Sequence, residues 1–159
     1  MFNGFKQKKK IYPGEVIDLL ETMSVSKELA FDGVATIYYE MYLHDTNEKV
    51  GKCDLRLSIE GDMYYYGHVG YNVSPKYRGN NYAYYACRVL FKIAHDEYDL
   101  KELIVTCNPD NEASYKTLKK LGGTLIDVAP IPRNHELYAQ GDRYKCVFSY
   151  KIELENGKD

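Results

Sequence analysis

The sequence predicts one mixed α/β domain spanning residues 1–159, and three observations carry that expectation. Apolar residues alternate with period two through much of the first half. Beyond Pro75, strand-like and helix-like patterns take turns. No linker, internal repeat or low-complexity tract divides the chain. The expected sheet is mixed and mostly antiparallel, with a parallel strand–helix–strand unit embedded in it. A chain of 159 residues buries a sufficient core without staples.

Each element follows from its local pattern. After Pro13-Gly14, the residues Val16, Leu19, Leu20 and Met23 recur at helical spacing and predict a first helix. A short second helix is expected over Ser26 to Ala30. Ile37, Tyr39, Met41 and Leu43 then alternate as a strand, and Asp45-Thr46-Asn47 reads as a turn. Cys53, Leu55, Leu57 and Ile59 alternate with polar neighbours, and Tyr64 to Val73 reads as the next strand. These three strands form an antiparallel meander.

Downstream, Ala83, Ala86, Cys87, Leu90, Ile93 and Ala94 mark a helix with one apolar face. Leu103 to Cys107 is a continuous apolar run, as in a strand covered on both sides. Pro109 suits a first helical turn, and Ala113, Thr117, Leu118 and Leu121 continue it until Gly122-Gly123. Thr124 to Val128 and Tyr144 to Leu154 are the last strands.

Composition excludes several classes. Lys plus Arg is 21 and Asp plus Glu is 23, a net charge of −2, so no general phosphate-binding excess exists and no nucleic-acid partner is expected. The four cysteines show no metal-ligand spacing, and no metal is expected. Each lies in an apolar segment, as in a reducing cytoplasm. No apolar run reaches the roughly 20 residues of a membrane span. Lys6 and Lys8 to Lys10 precede too short an apolar stretch for an export signal, and read as a solvated strand end.

The informative segment is Val73-Ser74-Pro75-Lys76-Tyr77-Arg78-Gly79-Asn80-Asn81-Tyr82-Ala83. It leaves a strand, turns through residues tolerant of left-handed backbone, and opens a helix. Inward-pointing amides and a helix N-terminus make a phosphate cradle. It is neither a Walker A loop nor a dinucleotide-fold GxGxxG. Together with Asn111-Glu112-Ala113-Ser114 and the glycine-terminated helix after it, this segment resembles the GNAT superfamily of acetyl-CoA-dependent N-acetyltransferases. That family's Q/R-x-x-G-x-G/A reads Arg78-Gly79-Asn80-Asn81-Tyr82-Ala83 here. Gly67-His68-Val69-Gly70-Tyr71 and Leu55-Arg56-Leu57 are further similar to an uncharacterised bacterial branch.

The resemblance implies a single-domain fold with splayed central strands and acetyl-CoA as cosubstrate. It implies coenzyme contacts at Val73, Arg78, Gly79, Asn80, Asn81, Tyr82, Ala83, Asn111 and Ser114. Asn81 replaces the family's central loop glycine, and asparagine tolerates a positive φ next best. The tyrosine that many members use to protonate the leaving thiolate falls at Leu118, so that acid is absent and Ser114 and Tyr115 lie nearby. The implied reaction is direct acetyl transfer to a primary amine of a small molecule or peptide, with no acyl-enzyme. A catalytically silent acyl-CoA sensor is the alternative, and pairing of two copies through the C-terminal strands stays open.

Single residues carry two readings each. His68 is a base or water-holder, or else a histidine bonded within the sheet. Ser114 assists the thiolate or simply permits close packing, and Asn111 contacts coenzyme or only caps its helix. His135 and Glu136 lie in the Pro130–Asp142 connection, an acceptor lid or a solvated loop. His95 is expected at a helix end, and Cys107 in the core rather than as a nucleophile. Arg56 contacts a substrate carboxylate or forms an ion pair. Tyr64, Tyr65, Tyr66, Tyr82, Tyr84 and Tyr85 pack, or line an amine pocket.

Overall fold

The Pro13–Gly14 corner leads from the two-residue strand β1 (Ile11–Tyr12) into β2 (Ile17–Val25). The structure, a computed structural model, describes residues 9–152. β2 stands where the spacing predicts a helix. Ile17 and Leu19 are fully buried in alternation, and a bulge between Glu21 and Met23 then shifts the register. That shift breaks the period of two and imitates helical spacing. Residues 26–35 form turns instead of the expected second helix.

The meander forms as expected. β3 (Thr36–Leu43), β4 (Lys49–Arg56) and β5 (Val69–Val73) complete a five-stranded antiparallel sheet in the order β1-β2-β3-β4-β5. Its fourth and fifth strands are shorter than predicted. Leu57 and Ile59 lie beyond β4, and Gly61–Tyr65 wind into a 3₁₀ turn. Tyr64 and Tyr65 pack there against Ile104, Ala129 and Val147, so burial rather than pairing holds this segment.

α1 (Tyr82–Tyr98) crosses one sheet face and buries Ala86, Cys87, Leu90, Ile93 and Ala94. They pack against Ile17, Leu19, Met41 and Leu55 in the main core. Each large side chain buried there contributes about 1.5–3 kcal/mol. His95 falls inside the last helical turns, bonded to Asp96. β6 (Glu102–Cys107) follows, then α2 (Glu112–Lys120), which starts after Pro109 because Asn111 is its N-cap. β7 (Thr124–Pro130), α3 (Glu136–Ala139) and β8 (Tyr144–Lys151) complete the chain's described elements. The expected strand to Leu154 runs outside the described residues past Ile152.

β6, β8 and β7 form a second antiparallel sheet in that order. The expected unit β5–α1–β6 is present, but its strands meet only at their base. A single antiparallel bridge, Gly67 opposite Val105, joins the sheets, and no parallel ladder forms between β5 and β6. The two sheets diverge from that point.

Asp18 ties the open end of the first sheet together. Its carboxylate accepts from the amides of Gly14 and Asp45 at 2.9 Å each, and lies 2.8 Å from His44 Nδ1. Burial works to raise its pKa, and His44 with the two amides overcomes this, leaving it below the ordinary range. The same contact raises the pKa of His44. The carboxylate contribution exists above about pH 3.9 and is lost as pH falls. The histidine contribution exists below about pH 6.5 and is lost as pH rises through the raised value. Asp18→Asn should therefore lower the melting temperature more at pH 5.5 than at pH 8. Losing one of the two amide bonds to the carboxylate costs stability at either pH. Calorimetry at both pH values checks this; equal losses would remove His44 from the account.

Candidate functional site

The site begins where the strands separate. Gly67 takes φ 71°, and a Cβ there would sit 2.8 Å from the Ile104 carbonyl, so the close approach needs glycine. The next residue, His68, holds β6 twice. Its amide donates to Ile104 O at 2.8 Å, and the Ile104 amide donates to its Nδ1 at 2.9 Å. His68 is 8% exposed, and burial pushes its pKa below the ordinary imidazole value. With Nδ1 accepting, the neutral ring carries its proton on Nε2.

Beyond His68 the chain pairs only with β4. The Arg56 amide donates to His68 O and the Ser74 amide to Val50 O. Alternation then points the backbone N–H and C=O groups of Gly70 and Asn72 toward β4, and those of Val69, Tyr71 and Val73 toward the gap beside β6. Val73 O accepts from Arg78 Nε at 2.8 Å. The amides of Tyr71 and Val73 face the gap with no partner strand among the described residues.

A cleft of about 580 Å³ opens along this edge. One end is the turn before α1, where Gly79 has φ 89° and Asn81 φ 61°. Asn81 is the N-cap of α1, yet its side chain makes no capping bond. The first amides of a 17-residue helix thus face the cleft without a side-chain partner. Arg78, Lys116 and Lys120 contribute three cations to the lining, which contains no carboxylate. A chain of net charge −2 has concentrated positive charge in one cleft. Such a lining attracts an anion.

Of the residues singled out in the sequence, Val73, Arg78, Gly79, Asn81, Tyr82, Ala83, Asn111 and Ser114 line the cleft together. Asn80 does not; its side-chain amide donates to Tyr77 O at 2.9 Å and closes the turn from outside. His68 lies outside the lining as well. Asn111 accepts from the Ser114 amide, a local capping bond, while also lining the cleft. Leu118 is fully buried, and its carbonyl accepts from Tyr150 OH.

Sequence reasoning missed Tyr71, Lys116 and Lys120. Tyr71 sits two residues before Val73 and therefore faces the same way, a period-two signal that was readable. Its hydroxyl lies 3.0 Å from Ser114 Oγ and bridges the cleft from β5 to α2. The lysines stand four apart on α2, hence on one helix face.

A second cavity, about 450 Å³, lies on the opposite face of the first sheet and shares Tyr71 and Asn72 with the cleft. It presents two carboxylates. Glu40 is held by Lys49 at 2.6 Å and by Tyr42 OH, and Lys49 keeps its pKa low. Asp54 lies over Gly70 beside Arg56 at 3.2 Å, and burial raises its pKa. Arg56 also donates to the carbonyls of Tyr66 and Gly67, so it braces the divergence point. The Pro130–Asp142 connection is pinned: His135 is 3% exposed and donates to Asp62 O, and Glu136 accepts from Tyr66 OH.

Comparison with known proteins bears on the family and the fold. Residues 10–124 match the family model of the acetyltransferase (GNAT) domain. A 54-residue stretch is 33% identical to the uncharacterised N-acetyltransferase YnaD of Bacillus subtilis (strain 168), covering 34% of this chain and 32% of that protein. The match thus spans about a third of that relative's length. A putative ribosomal-protein-serine acetyltransferase from Vibrio cholerae superposes with TM-score 0.64 at 16% identity, over 89% of this chain and 97% of the other. RimL, a ribosomal L7/L12 alpha-N-protein acetyltransferase solved with coenzyme A, gives TM-score 0.64 at 13% identity, over 90% and 98%. The structural likenesses establish the fold, and the domain match covers well over half of the chain. On that ground, the chain belongs to the GNAT acetyltransferase family.

Proposed function

We propose that the protein transfers an acetyl group from acetyl-CoA to a primary amine by direct attack. The observation that carries this reading is the continuous cleft from the uncapped start of α1 to the unpaired edge of β5. The pyrophosphate lies on the amides after Arg78, with Lys116 and Lys120 on the facing wall. The pantetheine arm follows the free amides of β5, near Val73. This places the thioester toward Tyr71 and Ser114, where a pre-placed amide stabilises the developing oxyanion.

The acceptor approaches from the second cavity. A free amine has a pKa of about 10.4 and must attack neutral, so a proton acceptor is needed. Asp54 suits this role: it lines that cavity, it lies over Gly70 of β5, and burial raises its pKa toward a more basic carboxylate. His68 has its Nδ1 already engaged, and we assign it to holding the divergence point. Direct transfer is supported by Cys107, which is 5% exposed, with burial pushing its thiol up to about 11. A thiol so protonated is a poor nucleophile. All four cysteines are unpaired and buried, which supports a reducing compartment such as the cytoplasm.

Two outcomes test this reading. Asn81→Val should weaken coenzyme A binding at least tenfold by calorimetric titration, because a β-branched residue at φ 61° strains the turn. Undiminished affinity would remove the turn from the site. Asp54→Asn should leave coenzyme A affinity near normal and lower turnover by roughly 10²-fold or more, read as thiol release with a panel of amines. It should also flatten the loss of rate at low pH. A base must be ionised, so wild-type activity falls as pH drops through the raised Asp54 value. Wild-type turnover in Asp54→Asn would return the proton to solvent. Coenzyme A binding with no thiol release from any amine would favour the sensor reading.

A further inference from the structure

We propose that Tyr71 is the acid that protonates the leaving thiolate, an inference that rests on the acetyl-transfer reading above. Three tyrosines line the cleft: Tyr71, Tyr77 and Tyr82. Tyr77 and Tyr82 flank the turn at the anion end, and the Tyr77 hydroxyl is donated to Glu48 at 2.8 Å. Tyr71 alone stands on β5, the strand whose other edge is free, toward the divergence point where the thioester lies. Position 118, where the family resemblance implies an acid, is a fully buried leucine here. Tyr115 packs edge-on against Phe148 and is outside the lining.

Chemistry favours this phenol over the serine beside it. Among side-chain hydroxyls, a phenol has the ordinary pKa, about 10, that lies nearest that of a thiol, about 8.5. An alcohol resembles water, whose pKa of about 15.7 makes it a far weaker acid. The Ser114 hydroxyl, 3.0 Å from the phenol oxygen, is placed to donate to the phenolate as it forms. Burial raises the Tyr71 pKa, and the Ser114 bond works against that rise.

The step balances as follows. The neutral amine nitrogen bonds to the acetyl carbon and gives up one proton to Asp54 or water. The tetrahedral adduct collapses, the C–S bond breaks, and its electron pair leaves on sulfur. The Tyr71 O–H proton passes to sulfur, giving free coenzyme A. The phenolate then regains, through solvent, the proton released by the nitrogen.

Tyr71→Phe keeps the ring in the core and removes only the hydroxyl. The expected result is an unchanged melting temperature, coenzyme A affinity within about threefold of wild type, and turnover lowered by roughly 10²-fold. Ser114→Ala should lose less, about tenfold, and adding it to Tyr71→Phe should cost little more, since both act through one proton. A readout that needs no amine is the titration of the bound coenzyme A thiol, followed by thiolate absorbance. A donor at the sulfur lowers that pKa, so Tyr71→Phe should raise it by about one unit relative to wild type. An unchanged bound-thiol pKa overturns the assignment whatever the turnover shows. Wild-type turnover in a folded Tyr71→Phe variant overturns it as well. A shifted thiol pKa with no turnover of any amine by the wild type would keep Tyr71 beside the sulfur and sink the acetyl-transfer reading instead.

Discussion

The structure depends on a separation of two strands. β5 and β6 touch at Gly67 and His68 and then diverge, and every feature of the site lies in or beside the opening. Exposed strand edges are costly because their amides seek partners. Here the divergence is fixed by a glycine that lets the backbones approach and by a histidine whose ring completes the pairing of Ile104. A histidine that accepts an amide bond in this way stays neutral, and burial reinforces that state. The Arg56 guanidinium, paired with Asp54, adds two bonds to the carbonyls of Tyr66 and Gly67 at the same vertex.

Charge and backbone conformation then specialise the opening. The turn before α1 requires left-handed backbone at Gly79 and Asn81, and that conformation leaves the start of the helix bare. Lys116 and Lys120 face it from α2. The near-neutral total charge conceals this local excess, so composition says nothing about the cleft. The opposite sheet face, with Asp54 over Gly70, supplies a polar approach from the other side. Only β5 separates the two cavities, and Tyr71 and Asn72 line both.

Much of this was legible in the residues, for physical reasons that also explain the failures. The turn Arg78 to Ala83 and the glycine-ended helix α2 were readable because special backbone needs special residues. β3 and the core face of α1 were readable because their burial is one-sided. β2 was misread since the bulge at Glu21 and Met23 erased its alternation, and pairing with β3 overrode local spacing. The Tyr64–Tyr66 run reads as strand by propensity, yet packing against Ile104 and Val147 winds its start into a 3₁₀ turn. His68 was expected on the strand leading to the site, but it sits in the bend just before β5, held there by a hydrogen-bond partner 36 residues away that spacing does not reveal. Tyr71 was overlooked among 17 tyrosines because composition made each of them look like packing.

The central claim is that coenzyme A lies along the free edge of β5, and amide hydrogen exchange reads that edge directly. Exchange should be measured residue by residue, with and without saturating coenzyme A. The account predicts slowed exchange at Tyr71, at Val73 and at the first amides of α1, with β2 and β3 unchanged. Protection confined to other segments, with Tyr71 and Val73 exchanging as fast as in the free protein, would contradict it.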